Sequence, residues 1–232
     1  MAKSISVRKI FKLNIPEGTT EITKADVPLG TITKSGKTLS TENGIIFEVL
    51  NCSFSKDITE SISAYIFELD QYVSLDHFKK KFTFNMYYSS KKGLLFSEAV
   101  TPVTKSFLSA LKTTPNVDLE YTTEHFDFDK ISSQFAQTRG VRFNSSDQGV
   151  NNKLFNGNAV NENNEALLAI QNDDATQIIG VINMGNTDYT VSFTQSGTVV
   201  VYNKIPHFER KEVPMLEFAV SVFSEIGYIK KD

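Results

Sequence analysis

The chain has 232 residues, of which 40% are hydrophobic and 22% are charged, and this balance excludes wholesale disorder. The formal net charge of −3 argues against a protein that coats nucleic acid with its whole surface, but a local basic patch is compatible with it. The single cysteine, Cys52, excludes an intramolecular disulfide and a thiolate-rich zinc site, and it predicts a reducing compartment.

The first predicted strand covers residues 5–15, where charged and apolar residues alternate. This interleaving differs from the unbroken apolar core of a signal peptide. No run of the chain approaches the length that is needed to span a bilayer. We therefore predict a cytoplasmic protein with no membrane association.

Residues 16–43 are rich in Thr, Gly, Lys and Pro, which predicts a loop with one or two short edge strands. Residues 45–54 predict a strong strand, within which Cys52 is interpreted as a small buried hydrophobe. Residues 62–69 fit both a strand and a helical stripe, and a strand is the preferred interpretation. Ser74 predicts the N-cap of a short helix over residues 75–82, or a turn into the next strand.

The following strand predicts a hairpin, because residues 89–93 form a turn signal and residues 94–96 return as a second strand. A helix is predicted from Thr101 and Pro102 up to Pro115, with an apolar stripe at helical spacing. Residues 119–128 predict a strand, residues 129–137 a short helix, and residues 144–164 a long loop that holds eight asparagines.

The last third has the clearest pattern. Residues 177–184 predict a strand, and residues 189–193 and 198–202 predict a hairpin. Pro214 predicts the start of an amphipathic helix that ends near Ile226, with Lys230 and Lys231 just beyond its C-terminus. Together the elements predict an α+β fold, mainly an antiparallel sheet with hairpins, helices packed on one face and a C-terminal amphipathic helix. Residues 1–115 and 116–232 are interpreted as two α+β halves, or as one continuous domain.

The candidate binding site is the segment over residues 79–92, which carries a formal charge of +5 and leaves −8 for the rest of the chain. Phosphate backbones and acidic surfaces are bound by several ammonium groups on one surface, and exposed rings can stack on bases. Arginine is scarce here, which argues against specific reading of base edges. The predicted nucleic-acid-binding residues are Lys79, Lys80, Lys81, Tyr87, Lys91 and Lys92. A solvated hairpin whose lysines protect an edge strand is the alternative interpretation.

The candidate metal site is the alternating sequence His125, Asp127 and Asp129, which would share one face if it were a strand. An acidic strand face, with Asp129 as a helix cap, is the alternative. Glu209 and Lys211, with Asp188 before them, weakly resemble the acid-and-lysine end of a metal-dependent nuclease site. The sequence contains no phosphate-binding loop, dinucleotide-binding or nucleophile-elbow motif.

The first hypothesis is a non-enzymatic binding or regulatory protein that contacts nucleic acid, or another polyanionic or acidic partner, through the lysine-rich hairpin and needs no cofactor. The acidic residues 120–129 offer an opposite pole that could dock a second copy and form a homo-oligomer. The alternatives are a nuclease or phosphodiesterase that uses a divalent metal, and a scaffold subunit that binds proteins.

Overall fold

The computed structural model describes residues 2–24 and 27–229. Within these residues the chain forms twelve strands: β1 (Lys3–Asn14), β2 (Thr19–Lys24), β3 (Val27–Ser40), β4 (Ile46–Ile66), β5 (Gln71–Ser89), β6 (Leu94–Ser97), β7 (Asp118–Thr123), β8 (Gln137–Asn144), β9 (Asn152–Asn156), β10 (Ala175–Met184), β11 (Thr187–Thr194) and β12 (Thr198–Val201). Its four α-helices are α1 (Thr101–Lys112), α2 (Phe128–Ser132), α3 (Asn164–Gln171) and α4 (Pro214–Glu225). Short 3₁₀ turns cover Phe67–Leu69 and Val160–Glu162.

The strands form one open sheet in the order β2-β3-β4-β5-β6-β1-β12-β11-β10-β8-β9, and β7 also pairs with β1. Every pair of neighbouring strands is antiparallel. Hairpins join most sequential neighbours, as the short turns between them require. The prediction of a mainly antiparallel sheet with hairpins and a C-terminal helix is confirmed.

Strand β1 lies at the centre of the sheet and bonds to strands from both halves of the sequence. One of its edges pairs with β6, while β12 and β7 follow each other along the opposite edge. Arg8 lies where β12 gives way to β7, and its guanidinium donates to the carbonyls of Val7 and Ser196. The division of the chain at residue 115 stays a prediction, but the hydrogen bonds of β1 run across it.

Two hydrophobic cores lie on opposite faces of the sheet. In β1, Ile5 and Val7 belong to the core that α4 covers, whereas Ile10 belongs to the core that α1 covers. In β4, Val49 and Leu50 divide in the same way. Adjacent residues of a strand point to opposite faces. The expectation that the helices pack on one face is therefore wrong, because a sheet with apolar residues on both faces needs a cover on each.

Helix α4 confirms the predicted C-terminal amphipathic helix. Pro214 is at its first turn, where the missing N–H leaves no hydrogen bond unmade. Phe223 is fully buried, and its ring lies 5.8 Å from the Phe96 ring and 4.9 Å from the Tyr228 ring. The α4 core therefore ties the end of the chain to the middle of the sheet.

Helix α1 confirms the other predicted helix and covers the second core. Phe107 is fully buried and meets the rings of Phe54 and Phe84 edge-on at 5.7 Å and 5.3 Å. These two rings belong to β4 and β5, so α1 fixes the point at which the β4–β5 hairpin leaves the body.

Several local predictions are wrong. Ser74 caps no helix, because residues 75–82 lie within β5 and bond to β4. Residues 16–43 contain the 14-residue strand β3, and residues 144–164 contain β9. The strand predicted over residues 119–128 ends at Thr123. Lys230 and Lys231 lie outside the described residues.

The β4–β5 hairpin extends well beyond the rest of the sheet. The last β4 residue that bonds to β3 is Phe54, and β5 bonds to β6 only from Met86 onward. Residues 55–81, which we call the arm, therefore form a two-stranded ribbon. The twelve residues from Ser55 to Ile66 reach about 37 Å at the usual rise of a strand.

Candidate interaction site on the arm

Cross-strand register fixes which side chains of the arm share a face. Tyr65 pairs with Tyr72, Ile58 with Phe78, and Lys56 with Lys80. Directly opposed residues of an antiparallel pair point to the same side. A register shift between Thr59 and Ile62 keeps these three pairs on one face. We call this the aromatic face of the arm.

The tip of the arm exposes large apolar side chains. Phe67 is 85% exposed and Tyr72 is 73% exposed, and Leu69 and Tyr65 are also exposed. The Tyr65 ring lies 5.1 Å from that of Phe67 and 5.2 Å from that of Tyr72. Among the described residues, no member of the arm belongs to either core. Clustered exposed aromatics of this kind are typical of interaction surfaces.

Charge divides the arm along its length. The arm tip, residues 60–76, carries −4 because it contains four acidic residues and no lysine or arginine: Glu60, Glu68, Asp70 and Asp76. The arm base, residues 55–59 and 77–81, carries +3 because four lysines outnumber Asp57: Lys56, Lys79, Lys80 and Lys81. No ion pair within the described residues involves these four lysines. Lys79, Lys80 and Lys81 are exposed and Lys56 is half-buried, so their side chains are open to a partner.

The five predicted lysines form two separate groups. Lys79 and Lys81 point to the face opposite Lys80, which lies on the aromatic face above the Phe82 ring at 5.5 Å. Lys91 and Lys92 follow β5, and Lys81 lies eight residues, or about 27 Å, before the end of that strand. Lys91 and Lys92 line a separate pocket with Lys9, Glu124 and Tyr228. The expectation that one turn gathers all five ammonium groups is wrong, because the strand between them is fully extended.

Tyr87 is a core residue, and the prediction that its ring stacks on bases is wrong. It is 1% exposed and belongs to the core beneath α4. Its hydroxyl donates to Glu98 Oε1 at 2.7 Å, and burial together with this hydrogen bond raises its pKa. The neighbouring Tyr88 is half-buried and packs against the α1 core. Tyr65 and Phe67 lie within residues 62–69, which also fitted a helix, and no signal in the sequence marked these two rings or that of Tyr72 as exposed.

The structure does not place His125, Asp127 and Asp129 on one strand face, since β7 ends before them. Asp127 caps α2 by accepting from the Lys130 N–H at 3.0 Å, and His125 Nε2 lies 3.1 Å from Asp173 Oδ2. Across residues 2–24 and 27–229, no group of three or more His, Cys, Asp or Glu side chains is arranged to hold a metal ion. The interpretation of His125, Asp127 and Asp129 as a strand face is wrong.

Glu209 and Lys211 lie in a turn before α4. Lys211 forms an ion pair with Glu42, and that pair raises the pKa of the lysine. Asp188 accepts a hydrogen bond from Asn183 at 3.0 Å. Lys211 and Asp188 thus have separate partners, and neither partner is part of a described metal site.

The described part of the body also has a polar cleft of about 330 Å³ between the 41–44 turn, the β10–β11 turn and α4. Tyr189 lines it, and burial raises the pKa of its hydroxyl. His207 lies at the same cleft, with Nε2 3.2 Å from Thr187 Oγ1. Cys52 lies elsewhere, buried in the α1 core, where burial raises the pKa of its thiol. Its interpretation as a buried hydrophobe is confirmed.

No protein family model matches the chain, and no curated protein is detectably similar to it. Among the described residues, the longest helices have 12 residues, and none is long and apolar enough to cross a bilayer.

Proposed function

We propose that this chain is a non-enzymatic binding protein that contacts an acidic partner through the arm. The observation that carries the proposal is the arm itself, a two-stranded ribbon with an uncovered aromatic face and, at its base, four lysines that form no ion pair with a described residue. A lone two-stranded ribbon is only marginally stable in water. A partner that covers the aromatic face and approaches the lysines would stabilise it.

The charge distribution favours an acidic protein surface over nucleic acid. A nucleic acid that followed the arm would pass from a formal charge of +3 at the base to −4 at the tip, and the tip would repel its phosphates. The arm also contains no arginine. Tyr and Phe are enriched at the centre of protein–protein interfaces, and polar groups lie at the rim. We therefore propose a regulatory or scaffold subunit that binds proteins and requires no cofactor. Its compartment would be the reducing cytoplasm that the single cysteine predicts.

Charge reversal at the arm base tests the proposal. The variant Lys79→Glu/Lys80→Glu/Lys81→Glu is compared with wild type on immobilised poly-L-glutamate in a rising salt gradient. We expect it to elute at lower salt than wild type, because ionic contacts are screened and reversed. A parallel column of duplex DNA distinguishes an acidic protein partner from a nucleic acid. Retention that depends on these lysines and is stronger on DNA than on poly-L-glutamate would favour nucleic acid.

The matched control is Lys105→Glu/Lys130→Glu/Lys204→Glu, which changes the net charge equally at three exposed lysines outside the arm. We expect it to elute closer to wild type than the arm variant does. If the two variants elute together, retention depends on net charge alone and the arm is not the contact site.

A further inference from the structure

We propose that the acidic partner of the arm is the arm of a second copy of this chain, so the inference rests on the proposed function. The two arms lie antiparallel, with their aromatic faces in contact and a two-fold axis at the level of Leu75. Each arm base then lies against the other copy's arm tip. The contact is isologous, which means that each copy offers the same surface.

The spacing of the side chains over residues 70–80, which are Asp70 and the first part of β5, is self-complementary about Leu75. Tyr72 and Phe78 lie three residues to either side of it, and Asp70 and Lys80 lie five residues to either side. Rotation about the proposed axis places Tyr72 on the second copy's Phe78 and Asp70 opposite its Lys80. The Tyr72–Phe78 contacts thus lie nearer the axis than the Asp70–Lys80 contacts, and Ser74 and Asp76 of the same face flank the axis itself.

The paired strand repeats this pattern. Tyr65 lies beside Tyr72 and Ile58 lies beside Phe78, so each apolar contact involves a pair of side chains. Lys56 lies beside Lys80, so two ammonium groups face the acidic end of the other arm. Glu68, in the turn next to Asp70, supplies a second carboxylate there.

Charge also fixes the direction of the two arms. A parallel arrangement would set the −4 tips against each other and the +3 bases against each other. Like charges that face one another oppose association, whereas the antiparallel arrangement pairs +3 with −4 at both ends. A second copy is the partner whose charge pattern and spacing are known to match, because they are those of the arm itself.

The size of the arm predicts a weak dimer. A ribbon about 37 Å long and about 10 Å wide presents roughly 400 Å² in projection, about half of the 800 Å² that each partner of a stable complex buries. We therefore expect a concentration-dependent and salt-sensitive dimer with a dissociation constant of about micromolar order, not a permanent one.

Sedimentation equilibrium of the full chain, between about 1 µM and about 500 µM, tests the proposal with two complementary variants. The base variant is Lys56→Glu/Lys80→Glu. The tip variant is Glu68→Lys/Asp70→Asn, in which Asn is chosen because Asp70 has a φ of +50° that Asn tolerates. Wild type should dimerise, and each variant alone should dimerise at least about tenfold more weakly, a change of about 1.4 kcal/mol.

Mixing the two variants is the decisive step, because the mixed pair regains one native contact. The native tip of the base variant meets the native base of the tip variant, whereas the substituted base and the substituted tip each carry a formal charge of −1. We expect heterodimers that are weaker than the wild-type dimer but tighter than either variant's homodimer. Thermal unfolding of each variant checks that the body is intact, and Lys105→Glu/Lys130→Glu, with exposed lysines outside the arm, should dimerise like wild type.

The outcomes separate this inference from the proposed function. A monomeric wild type whose retention on poly-L-glutamate depends on the arm lysines overturns the dimer and leaves the binding function standing. A dimer that neither variant weakens, or a mixture whose heterodimer is no tighter than the variants' homodimers, overturns the arm-to-arm contact. A monomer whose retention does not depend on the arm lysines overturns both.

Discussion

Strands β4 and β5 run through both the arm and the body, by which we mean the described chain outside the arm, yet the two parts differ completely in burial. In the body part of β4, Phe47, Leu50 and Phe54 are buried, whereas no residue of the arm is. Both parts contain apolar side chains at alternating positions. The two parts differ in their cover. Helices α4 and α1 each cover one face of the sheet in the body, and neither core extends over the arm.

An alternating apolar pattern therefore specifies a strand, but it does not specify whether a helix packs on that strand. Cross-strand pairs stabilise the arm by about 0.2–1 kcal/mol each, while full burial of one large apolar side chain in the body contributes about 1.5–3 kcal/mol. Stability should therefore reside in the body, and association should reside in the arm. Substitutions of the same kind in the two regions test this division.

The largest expected effect comes from removing a core ring. Phe223→Ala should lower the free energy of unfolding by about 4 kcal/mol, because it deletes a fully buried ring and leaves a cavity. Its counterpart on the arm, Phe67→Ala, should change that free energy by less than about 0.5 kcal/mol, since the ring is exposed. Urea unfolding followed by circular dichroism measures both. Equal losses would mean that the arm packs on the body.

The two tyrosines of β5 give a smaller and sharper contrast. Tyr87→Phe should destabilise the protein by about 1 kcal/mol, because it removes the hydrogen bond to Glu98 from a buried site. Tyr72→Phe should leave the free energy of unfolding unchanged within about 0.3 kcal/mol, because the ring is exposed. The same urea titration applies to both. An equal loss in Tyr72→Phe would show that its hydroxyl stabilises the folded chain.

Local chemistry explains which parts of the fold could be predicted from the sequence. The β5–β6 and β11–β12 hairpins have turn residues that fix them, and Pro102 and Pro214 mark helix starts followed by apolar residues at helical spacing. By contrast, residues 75–82 form a strand only because β4, some twenty residues earlier, supplies the partner. A local cap signal at Ser74 carries no information about that pairing.

The candidate site was predicted only in part, for a related reason. A lysine run is visible in the sequence, so the arm base was found. Whether Tyr87 or Tyr72 is exposed depends on which stretch of β5 lies beneath a helix, and that follows from tertiary packing. The antiparallel charge pattern becomes visible only when the register pairs Lys56 with Lys80.

The pH dependence of stability should show a contribution from the body, where α4 meets the 41–44 turn. Burial raises the pKa of Glu217, and the nearby Glu42 carboxylate acts in the same direction, against the Glu42 N–H and Lys211. A carboxyl whose folded pKa is raised favours the folded state at low pH, and this stabilisation is lost as the pH rises through the folded pKa.

Glu217→Gln should therefore be more stable than wild type at pH 7, and the difference should shrink as the pH falls toward 4. Because the side chain is half-exposed, we expect a gain of less than about 1 kcal/mol. Urea unfolding from pH 4 to pH 8 measures it. A variant that is less stable than wild type at pH 7 would show that the ionised carboxylate stabilises the fold through Lys211.

Deletion of most of the arm should also have little effect on stability. Lys56 and Lys80 are cross-strand partners, so replacing residues 57–79 with Asn-Gly would close the hairpin with a two-residue turn of the favoured type. We expect the free energy of unfolding to change by less than about 1 kcal/mol, because the deleted residues belong to neither core. Dimerisation should be abolished at every concentration tested. A loss of several kcal/mol would instead make the arm part of the cooperative fold, since a segment that only binds a partner cannot stabilise the isolated body.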